Sequence, residues 1–130
     1  MHNLILLDYA HTPDALKICL QNIKDQFQNR KISLVFGCGG ERDKNKRPMM
    51  GKIANNYCDN IYLTDDNPRN ENPKNIRKML KKYCPKGFEI PNRKKAIHYA
   101  ISRLDLNDIL ITTKKIRNKK DKLIKLDAKT

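Results

Sequence analysis

The sequence predicts an α/β fold, a mostly parallel sheet with helices on both faces, and three observations carry that prediction. Short aliphatic runs alternate with longer amphipathic stretches through most of the chain. Proline stands at or near the start of three of those stretches, where its missing N–H costs nothing. The length, 130 residues, suits a single core in two or three layers, so one folded domain is expected.

The first strand is read at Leu4–Leu7, the others at Ile32–Phe36, Ile61–Leu63, Phe88–Ile90 and Ile109–Ile111. They read as strands buried on both faces, each bounded by polar residues or by Gly and Pro. Helical patterns lie between them. Pro13–Phe27 carries Leu16, Cys19, Leu20 and Ile23 on one face, and Pro48–Tyr57, Pro73–Tyr83 and Arg93–Leu104 follow. Thr12 and Asn72 precede prolines and are read as N-caps. Such alternation implies right-handed crossovers and gathers ligands at the carboxyl ends of the strands. After Ile111 the rhythm breaks. Residues 1–113 are therefore read as the domain, and Lys114–Thr130 as a frayed basic tail that leaves the sheet truncated at its C-terminal end.

Hydrophobic residues make up 38% of the chain and charged ones 32%, polar for a globular domain but too rich in aliphatic runs for disorder. The net charge is +14, and its densest source is the tail, with eight basic residues against Asp121 and Asp127. The remaining excess is scattered over helix surfaces, whereas binding nucleic acid needs a basic face rather than a basic total. A basic module for nucleic acid or an anionic surface stands as the alternative reading. Cys19, Cys38, Cys58 and Cys84 form no C-x-x-C pair and have no histidine at zinc-ligand spacing. No metal site is expected, and buried free thiols suit a reducing cytosol. Met1–Leu7 is too short for a leader or a span of roughly 20 residues, so the expected location is cytoplasmic, without membrane.

Three polar motifs follow predicted strands. Asp8-Tyr9-Ala10-His11-Thr12-Pro13-Asp14 sets an acid and an imidazole at a helix start, where they either meet a nucleotide or cap the backbone. Phe36-Gly37-Cys38-Gly39-Gly40-Glu41-Arg42-Asp43-Lys44-Asn45-Lys46-Arg47-Pro48 is a Gly-rich turn running into alternating charge. It lacks the Gly-Lys-Ser/Thr of a phosphate loop, but its glycines permit close backbone approach and its cations suit carboxylate or phosphate. Thr64-Asp65-Asp66-Asn67-Pro68-Arg69 places an acid, an amide and a guanidinium on a Pro-stiffened turn. That set could grip a zwitterion at both signs, or be an ordinary surface turn.

Taken in order, DYAHTPDAL, VFGCGGERDKNKRPMMGKIA and TDDNPRNENP closely resemble consecutive signatures of the Mur ligase family, in its UDP-N-acetylmuramoyl-tripeptide synthetases. The resemblance covers roughly residues 3 to 113 and corresponds to the family's C-terminal domain, a Rossmann-like α/β unit. It implies an ATP- and Mg²⁺-dependent ligase of peptidoglycan synthesis. Such a ligase activates the carboxylate of UDP-N-acetylmuramoyl-L-alanyl-D-glutamate as an acyl phosphate, which the amine of a diamino acid attacks to form an amide. By resemblance Asp66, Asn67, Pro68 and Arg69 match the motif that recognises meso-diaminopimelate, Arg42 matches a further contact to that amino acid, and Asp8 and His11 match the nucleotide-side edge. Arg69 points to diaminopimelate, because lysine lacks the distal carboxylate and would leave a buried guanidinium unpaired.

The family's Gly-Lys-Thr phosphate loop, its carbamylated lysine and its UDP-sugar domain have no counterpart in these residues. No catalytic residue is therefore assigned. The expectation is a stand-alone domain, a split or remnant form inactive alone, with ATP and Mg²⁺ bound only in a complete enzyme. The implied partners are separately encoded N-terminal and central ligase domains and meso-diaminopimelate. Where the family shows GKGHE, this chain has Thr113-Lys114-Lys115-Ile116-Arg117, so the expected Glu falls at Arg117.

Overall fold

The structure, a computed structural model, describes residues 3–8, 12–40, 44–113 and 125–128. Along the chain run β1 (Asn3–Asp8), α1 (Pro13–Gln26), β2 (Ile32–Phe36), α2 (Lys46–Tyr57), β3 (Asn60–Leu63), α3 (Pro73–Tyr83), β4 (Gly87–Glu89), α4 (Arg93–Ser102), β5 (Ile109–Thr113) and β6 (Lys125–Ala128). The described strands form one sheet in the order β4-β3-β2-β5-β1-β6, parallel except where β6 meets β1.

The strand order explains the layers. From β1 to β4 the chain steps in one direction across the sheet, so right-handed crossovers lay α1, α2 and α3 on one face. Between β4 and β5 it reverses, and α4 falls on the other face. Register builds the core from there: Leu6 and Leu34 flank Ile111, and Ile61 lies beside Leu34, a row that packs under Leu16, Leu20, Met50, Ala54, Ile76 and Leu80. One residue along, Val35, Tyr62 and Leu110 face Ala96 and Ala100, whose small side chains let α4 lie close to the sheet.

The helix starts follow their caps. Thr12 Oγ1 accepts from the Ala15 amide at 3.1 Å, and Asn72 Oδ1 accepts from the Lys74 amide at 3.0 Å, as their places before proline predict. Asn92 caps α4 in the same way, accepting from Lys95 N at 2.9 Å. Helix α2 begins at Lys46, ahead of the expected Pro48, so that proline lies within the first turn. The four cysteines are free, with Cys38, Cys58 and Cys84 buried.

The expectation of a frayed tail is corrected at 125–128, whose backbone pairs antiparallel with β1, Leu4 opposite Asp127 and Leu6 opposite Lys125. An edge strand offers a row of unpaired N–H and C=O groups, and β6 satisfies the row that β1 would otherwise present. The rest of that tail, residues 114–124 and 129–130, lies outside the described residues. No helix among the described residues is long and apolar enough to cross a membrane.

Candidate functional site

The carboxyl ends of β2, β3 and β5 lie side by side, and the loops after β2 and β3 meet there. They are joined by reciprocal hydrogen bonds. Gly40 N donates to Asn67 O at 2.8 Å, and Arg69 Nη1 donates to Gly40 O at 2.8 Å. The approach is too close for side chains: a Cβ on Gly40 would stand 1.9 Å from Pro68 O, and one on Gly37 2.1 Å from Thr64 O. The glycines of the second motif thus serve contact between loops. The Gly40 amide is already committed to Asn67, which leaves that turn unlike a phosphate cradle.

The β3–α3 loop is ordered by its own side chains. Asp66 Oδ1 accepts from Asn67 N at 2.8 Å, and Asn67 Oδ1 accepts from Arg69 N at 3.1 Å. Arg69 has φ of 51°, a left-handed conformation costly for a residue with a long side chain. With that backbone its guanidinium lies against Gly39 and Gly40. Asp66, Asn67, Pro68 and Arg69 therefore share one loop, as the sequence motif requires. Arg42 and His11 lie outside the described residues, as does the side chain of Asp8, whose backbone pairs with Thr113 at the carboxyl end of β1.

Three arginines brace this edge, Arg47 at the end of the Gly-rich motif and two that no motif contains. Arg47, in the first turn of α2, is only 1% exposed and grips Glu71 through both ends of its fork, at 2.7 and 2.8 Å. Its Nη2 also donates to Gly39 O at 3.0 Å, so one side chain ties the post-β2 turn to the post-β3 loop. The bond to Glu71 raises its pKa further above the ordinary arginine value, and burial opposes this. Arg77 on α3 pairs with Asp65 at 2.5 Å and with Glu89 of β4 at 3.2 Å. Arg93 on α4 donates through Nη1 to Thr113 O at 2.5 Å. Burial pushes the Arg93 pKa down, and the neighbouring charges of Asp66 and Asp65 oppose that shift. In sequence Arg77 and Arg93 look like solvated surface, whereas Arg47 closes the charged run of the Gly-rich motif, next to Pro48.

Cys38 sits in the post-β2 turn, where burial pushes its thiol up to about 11 against the lowering influence of Lys46 and Arg47, so it is a protonated packing group at neutral pH. Its Sγ lies 3.9 Å from Met50 Sδ. Among the described residues no three His, Cys, Asp or Glu side chains converge as a cation site. What the two loops bring to this edge is an acid, an amide and guanidinium groups held by hydrogen bonds.

Comparison with known proteins matches this geometry to a family. The family model described as Mur ligase, glutamate ligase domain, matches residues 2–115. A UDP-N-acetylmuramoyl-L-alanyl-D-glutamate–2,6-diaminopimelate ligase of Anaplasma marginale (strain St. Maries) is 52% identical over 98 residues, covering 75% of this chain and 21% of the relative. The ligase of the same name from Rickettsia montanensis is 49% identical over 114 residues, covering 85% and 24%. The chain thus spans under a quarter of the length of these relatives. A solved UDP-N-acetylmuramoyl-L-alanyl-D-glutamate–2,6-diaminopimelate ligase superposes with a TM-score of 0.78 at 37% identity, over 87% of this chain and 24% of that one. Escherichia coli FolC in complex with ADP shares the fold, with a TM-score of 0.69 at 17% identity over 85% of this chain and 26% of that one. From the match across residues 2–115, the chain belongs to the Mur ligase family, through its glutamate ligase domain.

Proposed function

We propose that this domain recognises meso-diaminopimelate for an ATP-dependent ligase that adds it to UDP-N-acetylmuramoyl-L-alanyl-D-glutamate in peptidoglycan synthesis. The observation that carries the reading is Arg69, held at φ 51° with its guanidinium anchored on Gly40 O, on the same loop as Asp66 and Asn67. A backbone cost is maintained at a position whose side chain addresses the site, the pattern expected where strain serves binding. In this reading Arg69 and Arg42 receive the distal carboxylate, and Asp66 and Asn67 address an ammonium or the second carboxylate. Binding presents the attacking amine in a fixed orientation, the part of amide formation that positioning can supply.

The relatives' names and the family resemblance support the substrate, and the resemblance supports ATP and Mg²⁺ as the complete enzyme's activating pair. ATP drives amide formation by converting the acceptor carboxylate to an acyl phosphate. In this chain the Gly40 amide is engaged by Asn67 O rather than free for a phosphate. In this reading the phosphate-activating roles fall to the other domains of a complete enzyme, and Asp8 and His11 are the nucleotide-side residues by resemblance. The substrate-binding set proposed is Arg42, Asp66, Asn67, Pro68 and Arg69.

Isothermal titration calorimetry of the 130-residue chain with meso-diaminopimelate and with L-lysine tests the proposal. Leaving a guanidinium unpaired costs about 1–3 kcal/mol, so a preference for meso-diaminopimelate of roughly fivefold to 150-fold is expected. Equal affinities, or no binding of either, would overturn it.

A further inference from the structure

Arg93 begins α4, on the face of the sheet opposite α1 to α3, yet its guanidinium reaches the carboxyl end of the central strand β5, where Nη1 donates to Thr113 O at 2.5 Å. The loop leading into Arg93 is fastened to the loop that carries Asp66. Pro91 O accepts from Asp65 N at 3.1 Å and from Thr64 Oγ1 at 2.9 Å. Asp65 is occupied by Arg77 at 2.5 Å, whereas Asp66 is held through Oδ1 by the Asn67 amide of its own loop. Arg93 thus crosses the edge from the post-β4 loop to β5, with the Asp66 loop fixed beside it and the Asp66 charge acting on it.

We infer that Arg93 is a positioning residue of the amino-acid site: its link to Thr113 holds the post-β4 loop, and with it the Asp66 loop fastened to that loop, against the end of β5. The inference rests on the proposed reading of that site. With the loop held in this place, the Asp66 carboxylate keeps one position from which, in that reading, it receives an ammonium. Because meso-diaminopimelate and lysine both carry ammonium groups, Arg93 acts on the affinity for both alike. Arg69 acts on the choice between them.

That difference is the test. Calorimetry on the 130-residue chain is expected to show Arg93→Ala weakening both amino acids by tenfold or more with their ratio unchanged, and Arg93→Lys recovering part of the loss. In parallel, Arg69→Ala collapses the ratio. Wild-type affinity in Arg93→Ala, or a ratio that collapses as in Arg69→Ala, overturns the inference. Exchange of the Asn67 amide, read by NMR, reports the Asp66 carboxylate directly, since that amide donates to Oδ1. Arg93→Ala is expected to speed it severalfold while the amides of α1 keep their rates. Should the wild-type chain bind neither amino acid, the reading of the previous subsection fails and the exchange rates judge Arg93 alone, with an unchanged Asn67 rate overturning its role.

Discussion

Arg69 holds an uncommon backbone conformation and a defined hydrogen bond at once, and the two act on stability in opposite directions. Glycine at this position would relieve about 1 kcal/mol of backbone strain and forfeit about 1 kcal/mol for the bond to Gly40 O. We therefore predict that Arg69→Gly unfolds in urea within about 1 kcal/mol of wild type while losing the preference for meso-diaminopimelate over lysine in calorimetry. A large loss of stability would place Arg69 in the scaffold instead. Arg47 behaves differently, because its charge is shielded from water and matched to one partner. Glu71→Gln leaves a buried guanidinium without its counter-charge and is expected to cost roughly 3 kcal/mol. Arg47→Met leaves behind only the more exposed carboxylate, so its cost should be the smaller of the two. Urea midpoints of the two variants decide, and equal costs would show that the pair does not control how the loops meet.

Among the elements, five strands and four helices are legible from period and punctuation, because strands buried on both faces read as continuous apolar runs and prolines mark helix starts. The strand Lys125–Ala128 is not legible, since its four residues carry no apolar run and their pairing is set by the open edge of β1, a partner distant in sequence. The same reason hides half of the candidate site. Asp66, Asn67, Pro68 and Arg69 stand together in the sequence and can be read as a motif, but Arg47, Glu71 and Arg93 come from three separate segments, and only the closed edge brings them to it. The Gly-rich turn was legible as a site of close backbone approach. That the approach is to Pro68 and Thr64 emerges only from the packing of two loops.

For the molecule as a whole, the buried thiols make stability depend on alkaline pH. Burial pushes Cys38 and Cys84 up to about 11 and raises Cys58 as well, so the folded state favours the protonated thiol. The unfolded chain releases these protons first, near the ordinary thiol value of 9.0. The stabilisation is therefore full below that pH and is lost as pH rises towards 11, by about 1.4 kcal/mol per unit for each thiol. Urea midpoints should fall over this window, and Cys38→Ala should make the fall shallower. An unchanged slope would mean that Cys38 does not contribute. The sheet order has a consequence in time. Strand β5 lies between β1 and β2, so β1 has no parallel neighbour until Ile109–Thr113 arrives. At a synthesis rate of about 5–20 residues per second, that wait is on the order of 5–20 seconds. Throughout it a finished aliphatic strand stands without the partner meant for it, which makes the nascent chain a natural client for a chaperone.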